Sequence, residues 1–404
     1  MIRLQEEYKE YNGKLIPKEW EGYKIGDIVK FEGGAQPPKS EFKFVYEKGY
    51  IRLIQIRDYK NDEYITFIPE KLARKFCDET DIMIGRYGPP IFQILRGIKG
   101  AYNVALMKAI PDESKVVKEY IYYYLQIESL FKLIDKLSRR SSGQTGVDLD
   151  ALNNFDIPLP SIEEQKKIVD LIKDAEELIR KQQQFIEKKK EFKKGLMQRL
   201  LNGEVRFKEF KDKWNNKALE NYITPIIREC DKPSEGYWRL GLRSHGKGTF
   251  HEFVEDPSTV SMDKLYKVKC NDLIVNITFA WEHAIAVANS MDEDKLVSHR
   301  FPTYEFKDNA YPLFFKYYIL QSKFRHMLVN ISPGGAGRNR VMSKKDFLNL
   351  IVKVPSYNEQ VRIAEVLTEA DKEIELLQKE LEALKLQKKG LMQMLLTGEV
   401  RVNL

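Results

Sequence analysis

The chain is written twice. Pro160-Ser161 is followed by Glu164-Gln165, and Pro355-Ser356 by Glu359-Gln360. Lys193-Lys-Gly-Leu-Met-Gln198 returns as Lys388-Lys-Gly-Leu-Met-Gln393, and Leu200-Leu-Asn-Gly-Glu-Val-Arg206 as Leu395-Leu-Thr-Gly-Glu-Val-Arg401. The offset is about 195 residues with no gap, and about 22 of 47 positions are identical between 160–206 and 355–401. A period of half the chain is too long for a solenoid, so the fold must be two tandem copies of one unit. Fainter echoes lie upstream. Glu19-Trp20 corresponds to Lys213-Trp214, Gly49-Tyr-Ile-Arg-Leu53 to Gly236-Tyr-Trp-Arg-Leu240, and Tyr122-Tyr-Tyr-Leu-Gln126 to Tyr317-Tyr-Ile-Leu-Gln321. Between these anchors the copies diverge. A shared scaffold with divergent parts does related but different jobs, whereas duplication with uneven drift is the plainer account.

The repeated part reads as helix. Residues 161–201 hold no proline and one glycine, Gly195. Ser161 with Glu164 and Ser356 with Glu359 have capping-box spacing, and Gly203 and Gly398 stand where helices end. Ile363, Leu367, Ala370, Ile374, Leu377, Leu381 and Leu384 step by four and three, as a coiled-coil seam does, with Lys388 interrupting before Leu391 and Leu395. Ile168, Ile172, Ala175, Ile179 and Ile186 do the same in the first copy, with Gln182, Lys189 and Lys193 in the seam. Each helix of about 40 residues spans roughly 60 Å. Neither seam can stay in water, so the two helices are expected to pack antiparallel, turning a direct repeat into a pseudo-two-fold. The Gly195-Leu196-Met197-Gln198 and Gly390-Leu391-Met392-Gln393 segments keep apolar and polar identities alike, which suggests a partner-docking surface used twice. The lysines at 188–190, 193, 194, 388 and 389 suit a solvated flank or a phosphate-facing or partner-facing stripe.

The divergent parts read as mixed α+β. Tyr50–Ile56, Asp81–Gly85 and Asp272–Ile277 are expected strands, Ala284–Ala288 a hairpin return, and Val117–Leu137 and Leu313–Val329 helices. The domain order is then 1–150 recognition domain, 151–207 helix, 208–347 recognition domain and 348–404 helix.

Catalytic chemistry is nearly spelled in three places. Gly241–Lys247 has phosphate-loop spacing, but Gly248 stands where a Ser or Thr would hold magnesium. Gly88-Pro89-Pro90-Ile91 lacks the acid or amide and the aromatic of a methyltransferase motif. Pro111–Lys115 has a nuclease motif's letters without room for a strand between the acids. Five histidines argue against a His-built metal centre, and three scattered cysteines form neither a disulfide framework nor a metal pattern. No apolar run approaches the length of a membrane span, so a cytoplasmic, non-enzymatic protein is expected. A net charge of +7 permits a nucleic-acid partner.

DNA reading needs Arg, Lys, amide or His donors at base edges and phosphates. Loops after the expected strands supply them: Arg57, Tyr59 and Lys60, then Arg86, Tyr87 and Gln93 in the first copy. In the second they are Arg243, Ser244, His245 and Lys247, then Thr278, Trp281, Glu282 and His283. Two glycine-rich basic loops precede the helices, with Arg139 and Arg140 in one and Arg338 and Arg340 in the other. They suit phosphate contact or a hinge equally.

The layout of variable domain, helix, variable domain, helix resembles the DNA-specificity subunits of type I restriction–modification systems. So do Ile16-Pro-Lys-Glu-Trp20 with Lys24-Ile-Gly-Asp27 and Gly33-Gly34, Pro158-Leu-Pro-Ser-Ile-Glu-Glu-Gln165, the doubled helical motif, and Asn276-Ile-Thr-Phe-Ala-Trp281-Glu. The resemblance covers nearly the whole chain. It implies two target-recognition domains, each reading half of a bipartite asymmetric site in double-stranded DNA, and paired helices that set the gap. It also implies two docked modification (methyltransferase) subunits that bring S-adenosylmethionine, with restriction subunits joining them; the chain itself holds no cofactor. The second copy departs in Phe210-Lys-Asp-Lys-Trp214, without the first proline, and in Val352-Lys-Val-Pro355. The residues alone also admit a separate recognition subunit of a Type II-like methyltransferase–nuclease, or a coiled-coil scaffold without DNA contact.

Overall fold

The computed structural model describes residues 7–139, 146–334 and 340–402. The chain forms two compact units, one made of Met1–Gln183 and Glu380–Leu404, the other of Gln184–Lys379. Each long helix, Ile162–Asn202 and Tyr357–Thr397, contributes one half to each unit. Among the described residues no helix is long and apolar enough to cross a membrane.

In the first unit a central antiparallel sheet runs in the order Val29–Gly33, Leu106–Pro111, Ile82–Gly85, Gln93–Leu95. Ile82–Gly85 is buried at every position, as a continuous apolar run flanked on both sides should be. A second sheet, ordered Phe67–Pro69, Tyr50–Ile54, Gly100–Tyr102, Phe76–Cys77, contains one parallel pair, Tyr50–Ile54 with Gly100–Tyr102. Asn12 and Gly13, both at positive φ, close a two-residue hairpin between Tyr8–Tyr11 and Lys14–Pro17. Glu21–Lys24 pairs with Asp156–Leu159, the strand leading into the first long helix. The core joins the sheet and the short helices to Ile168, Val169 and Ile172 of that helix and to Met392, Leu395 and Leu396 of the second.

The second unit repeats the central sheet strand for strand: Ile223–Ile226, Thr303–Phe306, Leu273–Val275, Ile285–Val287. The Leu273–Val275 and Ile285–Val287 pair is the expected hairpin. Asn215–Ala218 pairs with Ile351–Val354 ahead of the second long helix. The other sheet differs. It has five strands, ordered Glu229–Asp231, Lys264–Lys267, Leu296–Val297, Tyr237–Leu242, Thr249–Val254. Leu200, Leu201, Ile363, Ala364 and Leu367 of the long helices join the core of the four-stranded sheet.

Within each unit the helix halves run antiparallel, and the seam's polar residues find partners. In the first unit Lys388 pairs with Glu176 at 2.6 Å and Gln182 donates to Glu380 at 2.9 Å. In the second Lys189 pairs with Glu373 at 2.6 Å and Lys193 with Asp371. The residues that interrupt the apolar seam therefore fix its register.

Two readings need correction. Val117–Leu137 and Leu313–Val329 are each two helices, Lys118–Tyr124 then Glu128–Ser138, and Pro312–Tyr318 then Ser322–Asn330. The break carries neither Pro nor Gly; Ile127, an extended cap residue, turns its side chain into the core. The structural match is also shifted by one. Tyr123 and Tyr317 are equivalent, each donating its hydroxyl to the seam acid, Glu176 at 2.8 Å and Asp371 at 2.7 Å.

Candidate functional site

In the second unit the hairpin between Tyr237–Leu242 and Thr249–Val254 ends in residues 243–248. Because strand follows strand, the Gly241–Lys247 spacing belongs to a β-turn and cannot form a phosphate loop opening a helix. The tip is clamped to the Ala280–Glu282 turn: His245 N–H donates to the Glu282 carbonyl at 2.7 Å, Gly246 N–H to that of His283 at 2.9 Å, and Ser244 Oγ to the Glu282 carboxylate at 2.6 Å. Gly246 sits at φ +65°, and a Cβ there would stand 2.8 Å from Leu320, so the tip needs glycine. Arg243 lies over the Phe250 ring, 5.3 Å from its centroid, and donates to the Thr249 carbonyl. Trp281 Nε1 donates to the Thr278 carbonyl at 3.2 Å, and Arg340 lies 5.2 Å from the Trp281 ring. Met342 N–H donates to the Ile277 carbonyl at 2.8 Å, which ties the segment after residue 340 to the same loops. Arg243, Ser244, His245, Lys247, Thr278, Trp281 and Arg340 thus share one loop cluster, with Arg243, His245 and Lys247 exposed.

His283 does not belong to that surface. It is 4% exposed, and its Nε2–H donates to the Ile319 carbonyl at 2.6 Å. Burial pushes its pKa below the usual imidazole value, helped by Arg325 and His245. It braces the turn from beneath.

The first unit places its loops in the same way. Arg86 and Tyr87 follow the strand Ile82–Gly85, the guanidinium 5.4 Å from the ring centroid. Val147 N–H donates to the Arg86 carbonyl at 3.1 Å, repeating the Met342 tie. Gln93 faces Gly85 across the ladder and donates to the Pro90 carbonyl at 2.9 Å. A Cβ on Gly85 would meet Gln93 and Ile56 at 3.4 Å, so the turn Ile56–Tyr59 lies against the same strand end. Arg57 and Lys60 are exposed there. Tyr59 is not free: it packs on the small core around Ile54, Met83 and Tyr102, with its hydroxyl buried and its pKa raised by burial. Arg139 ends its helix exposed and pairs with Asp135 at 2.8 Å. Arg140 and Arg338 lie outside the described residues.

The repeated helical residues serve first as internal clasps. Glu164, buried, receives Arg401 through Nε at 3.1 Å and Nη2 at 2.9 Å, and the Trp20 indole at 3.2 Å. Glu359 receives Arg206 at 2.8 and 2.7 Å. Gln165 accepts from Val117 N–H at 2.7 Å and donates to the Pro160 and Lys115 carbonyls; Gln360 does likewise with Tyr311, Pro355 and Asn309. Ser161 Oγ accepts from Glu164 N–H at 3.2 Å, but the Glu164 carboxylate turns to Arg401, so only half of the capping box forms. The identities kept in both copies from Glu-Gln to Glu-Val-Arg thus have a reason inside the chain. Met392 is buried, and Leu196, Met197 and Leu391 pack on their own units' cores. Met392 is thereby closed to a partner, while Leu196, Met197 and Leu391 keep part of their surface open. Gly195, Gln198, Gly390 and Gln393 remain at least partly accessible.

The family model for the type I restriction modification DNA specificity domain matches residues 17–188 and again 203–386. The type I restriction enzyme MjaVIII specificity subunit of Methanocaldococcus jannaschii is 26% identical over 422 residues, covering 99% of this chain and 97% of that protein. Two solved structures share the fold at 15% identity. One, from work on complex assembly and conformational transition of the type I R-M system, has a TM-score of 0.62 and covers 97% of this chain and 100% of its own. The other, the HsdS subunit from Thermoanaerobacter tengcongensis, has a TM-score of 0.57 and covers 96% and 99%. With a family match in each half and a fold shared end to end, the chain belongs to the type I restriction–modification DNA specificity family.

Proposed function

We propose that this chain is the non-catalytic recognition subunit of a type I complex, reading one half of a two-part asymmetric DNA site with each unit and docking two methyltransferase subunits on its helices. One observation carries the reading. Equivalent strands of the shared central sheet bear loops of different composition, Arg86, Tyr87 and Gln93 at the end of Ile82–Gly85 in one unit and Thr278 and Trp281 after Leu273–Val275 in the other. The second sheets, whose strand orders differ, add Arg57 and Lys60 to the first set and Arg243, Ser244, His245 and Lys247 to the second, with Arg340 beside Trp281. A shared frame supports a common docking mode, while different donors at base edges select different bases. Arg139 belongs to the phosphate-facing set.

Docking on the helices has separate support. Leu171 and Leu178 in the first unit's half of the first long helix, and Phe185 and Phe192 in the second's, repeat every seven residues and are exposed. Gly195 and Gly390 interrupt helix interiors at a cost of about 1 kcal/mol each relative to alanine. Apart from the helix's own backbone, nothing among the described residues lies within 4 Å of a Cβ at either, so a reason outside the chain fits better. The partners would bring S-adenosylmethionine, and restriction subunits would complete a cytoplasmic complex.

Methylome sequencing of cells carrying Arg243→Ala or Trp281→Ala, with the modification subunit co-expressed, tests the reading. We expect one half-site to relax or weaken, with each lost base contact worth about 1–3 kcal/mol of discrimination, and the other to stay as it was. Change in both half-sites together, or in neither, refutes the assignment of one half-site to each unit.

A further inference from the structure

The second unit holds a cavity that DNA reading leaves unused. Its volume is about 460 Å³, within the roughly 300–1,000 Å³ of small-molecule sites. It lies between the strand Ile223–Ile226, the loop before Thr303–Phe306, and the short helix Lys344–Leu348. Ile226, Phe301, Pro302 and Leu348 wall it with apolar surface, and Tyr304, 1% exposed, is part of its lining. The Tyr304 hydroxyl is buried with no hydrogen-bond partner among the described residues, an arrangement that costs about 1–3 kcal/mol when nothing pairs it.

The rim carries one sign of charge. Lys344, Lys345 and His299 line the cavity, and none of the lining residues is acidic. The salt bridges among the described residues leave Lys344 and Lys345 unpaired. The first unit's equivalent helix, Leu149–Asn153, places Leu149 and Asp150 where this one has the two lysines. The arrangement is therefore specific to the second unit and does not come from the shared frame.

We propose that this cavity binds a small aromatic or branched-chain acid, the apolar body between Ile226 and Leu348 and the anionic group at Lys344 and Lys345. Apolar walls with a few convergent polar groups and a one-signed rim are what such a ligand requires. The proposal stands independently of the recognition reading, since it concerns the second unit alone and needs no DNA.

The test is calorimetric titration of the full-length protein with anilinonaphthalene sulfonate, an aromatic anion, followed by displacement with phenylacetate or with uncharged benzyl alcohol. Expected are one equivalent bound, displacement at least tenfold more effective by phenylacetate than by benzyl alcohol, and at least tenfold weaker binding in Lys344→Glu/Lys345→Glu. Both lysines are exposed, so that variant should keep its fold, which circular dichroism checks. Tyr304→Phe, which removes only the unpaired hydroxyl, should change phenylacetate binding less than threefold if the anion sits at the rim. Absence of saturable binding, several equivalents bound, or undiminished affinity in the double variant each overturns the proposal.

Discussion

A buried carboxylate is tolerable only with its partner in place, and the two clasps make that rule measurable. The Glu359 side chain is 1% exposed and takes its two charge-assisted bonds from Arg206 alone. Glu164 takes the same two from Arg401 and a third from Trp20, whereas the Trp214 indole in the second unit is buried with no partner among the described residues. Arg206→Ala should therefore destabilise the protein by about 3–5 kcal/mol, as breaking a buried pair does. Arg401→Ala should cost less, because the indole still serves Glu164. Urea melts of both variants beside Arg206→Met/Glu359→Gln decide it: the double replacement should recover most of the loss, since no charge is left stranded. His283 supplies a second test at this scale. Its folded pKa lies below the unfolded value, so as pH falls past about 6.5 the unfolded chain takes up a proton that the folded chain refuses. Stability is full above that value and declines below it, by at most roughly 1.4 kcal/mol per pH unit, until the folded pKa is reached. His283→Gln, which can still donate to the Ile319 carbonyl, should flatten the difference between urea midpoints at pH 7.5 and 5.5. An unchanged difference would show that His283 does not carry it.

At the scale of elements, the helices were the most legible part of the sequence and the loops the least. Four-three spacing over about 40 residues, a Ser ahead of each helix and glycines at its end leave little freedom; Gly203 and Gly398 do adopt the left-handed terminus, at φ +73° and +78°. Strand positions followed from short apolar runs such as Leu273–Val275. What the sequence hid was tertiary. Nothing in Leu125-Gln-Ile127 or in Ile319-Leu-Gln321 announces a break, since neither holds a Pro or Gly and the two cap residues, Ile127 and Gln321, simply adopt extended backbone. Nothing in Asn-Ile-Thr-Phe-Ala-Trp-Glu-His separates a half-buried Trp281 on the loop surface from a buried His283. The Asn12-Gly13 hairpin, by contrast, is legible from its dipeptide alone. The internal glycines of the long helices allow a prediction here. Gly195→Ala and Gly390→Ala should each raise stability by up to about 1 kcal/mol, since the space around both is open and alanine is the better helix former. Gly195→Gln and Gly390→Gln should fold as well as the native chain yet co-purify with less modification subunit. Full recovery of the complex would remove these glycines from the docking surface.

The whole molecule adds one constraint that neither unit carries alone: each long helix belongs to both. Residues up to 183 of the first helix and from 380 of the second are built into one core, and the remainder into the other. A change in helix length therefore cannot be absorbed by a loop. Inserting two turns, seven residues, into both helices at their midpoints adds about 10 Å of rise and restores the seam's heptad phase. The four polar and charged seam pairs, Lys388–Glu176, Gln182–Glu380, Lys189–Glu373 and Lys193–Asp371, then keep their partners, because each pair lies wholly within one unit. Measured against the 3.4 Å step of one DNA strand, such an insertion corresponds to at most about three base pairs. If the helices set the gap between half-sites, the variant should methylate a site whose two recognised parts are unchanged and whose unspecified spacer is longer by no more than that. Methylome sequencing reads all three quantities at once. An unchanged spacer would mean that the gap is fixed by something other than the helices, and altered half-sites would mean that the loops depend on helix length, which the closed hydrogen-bonding within each loop cluster argues against.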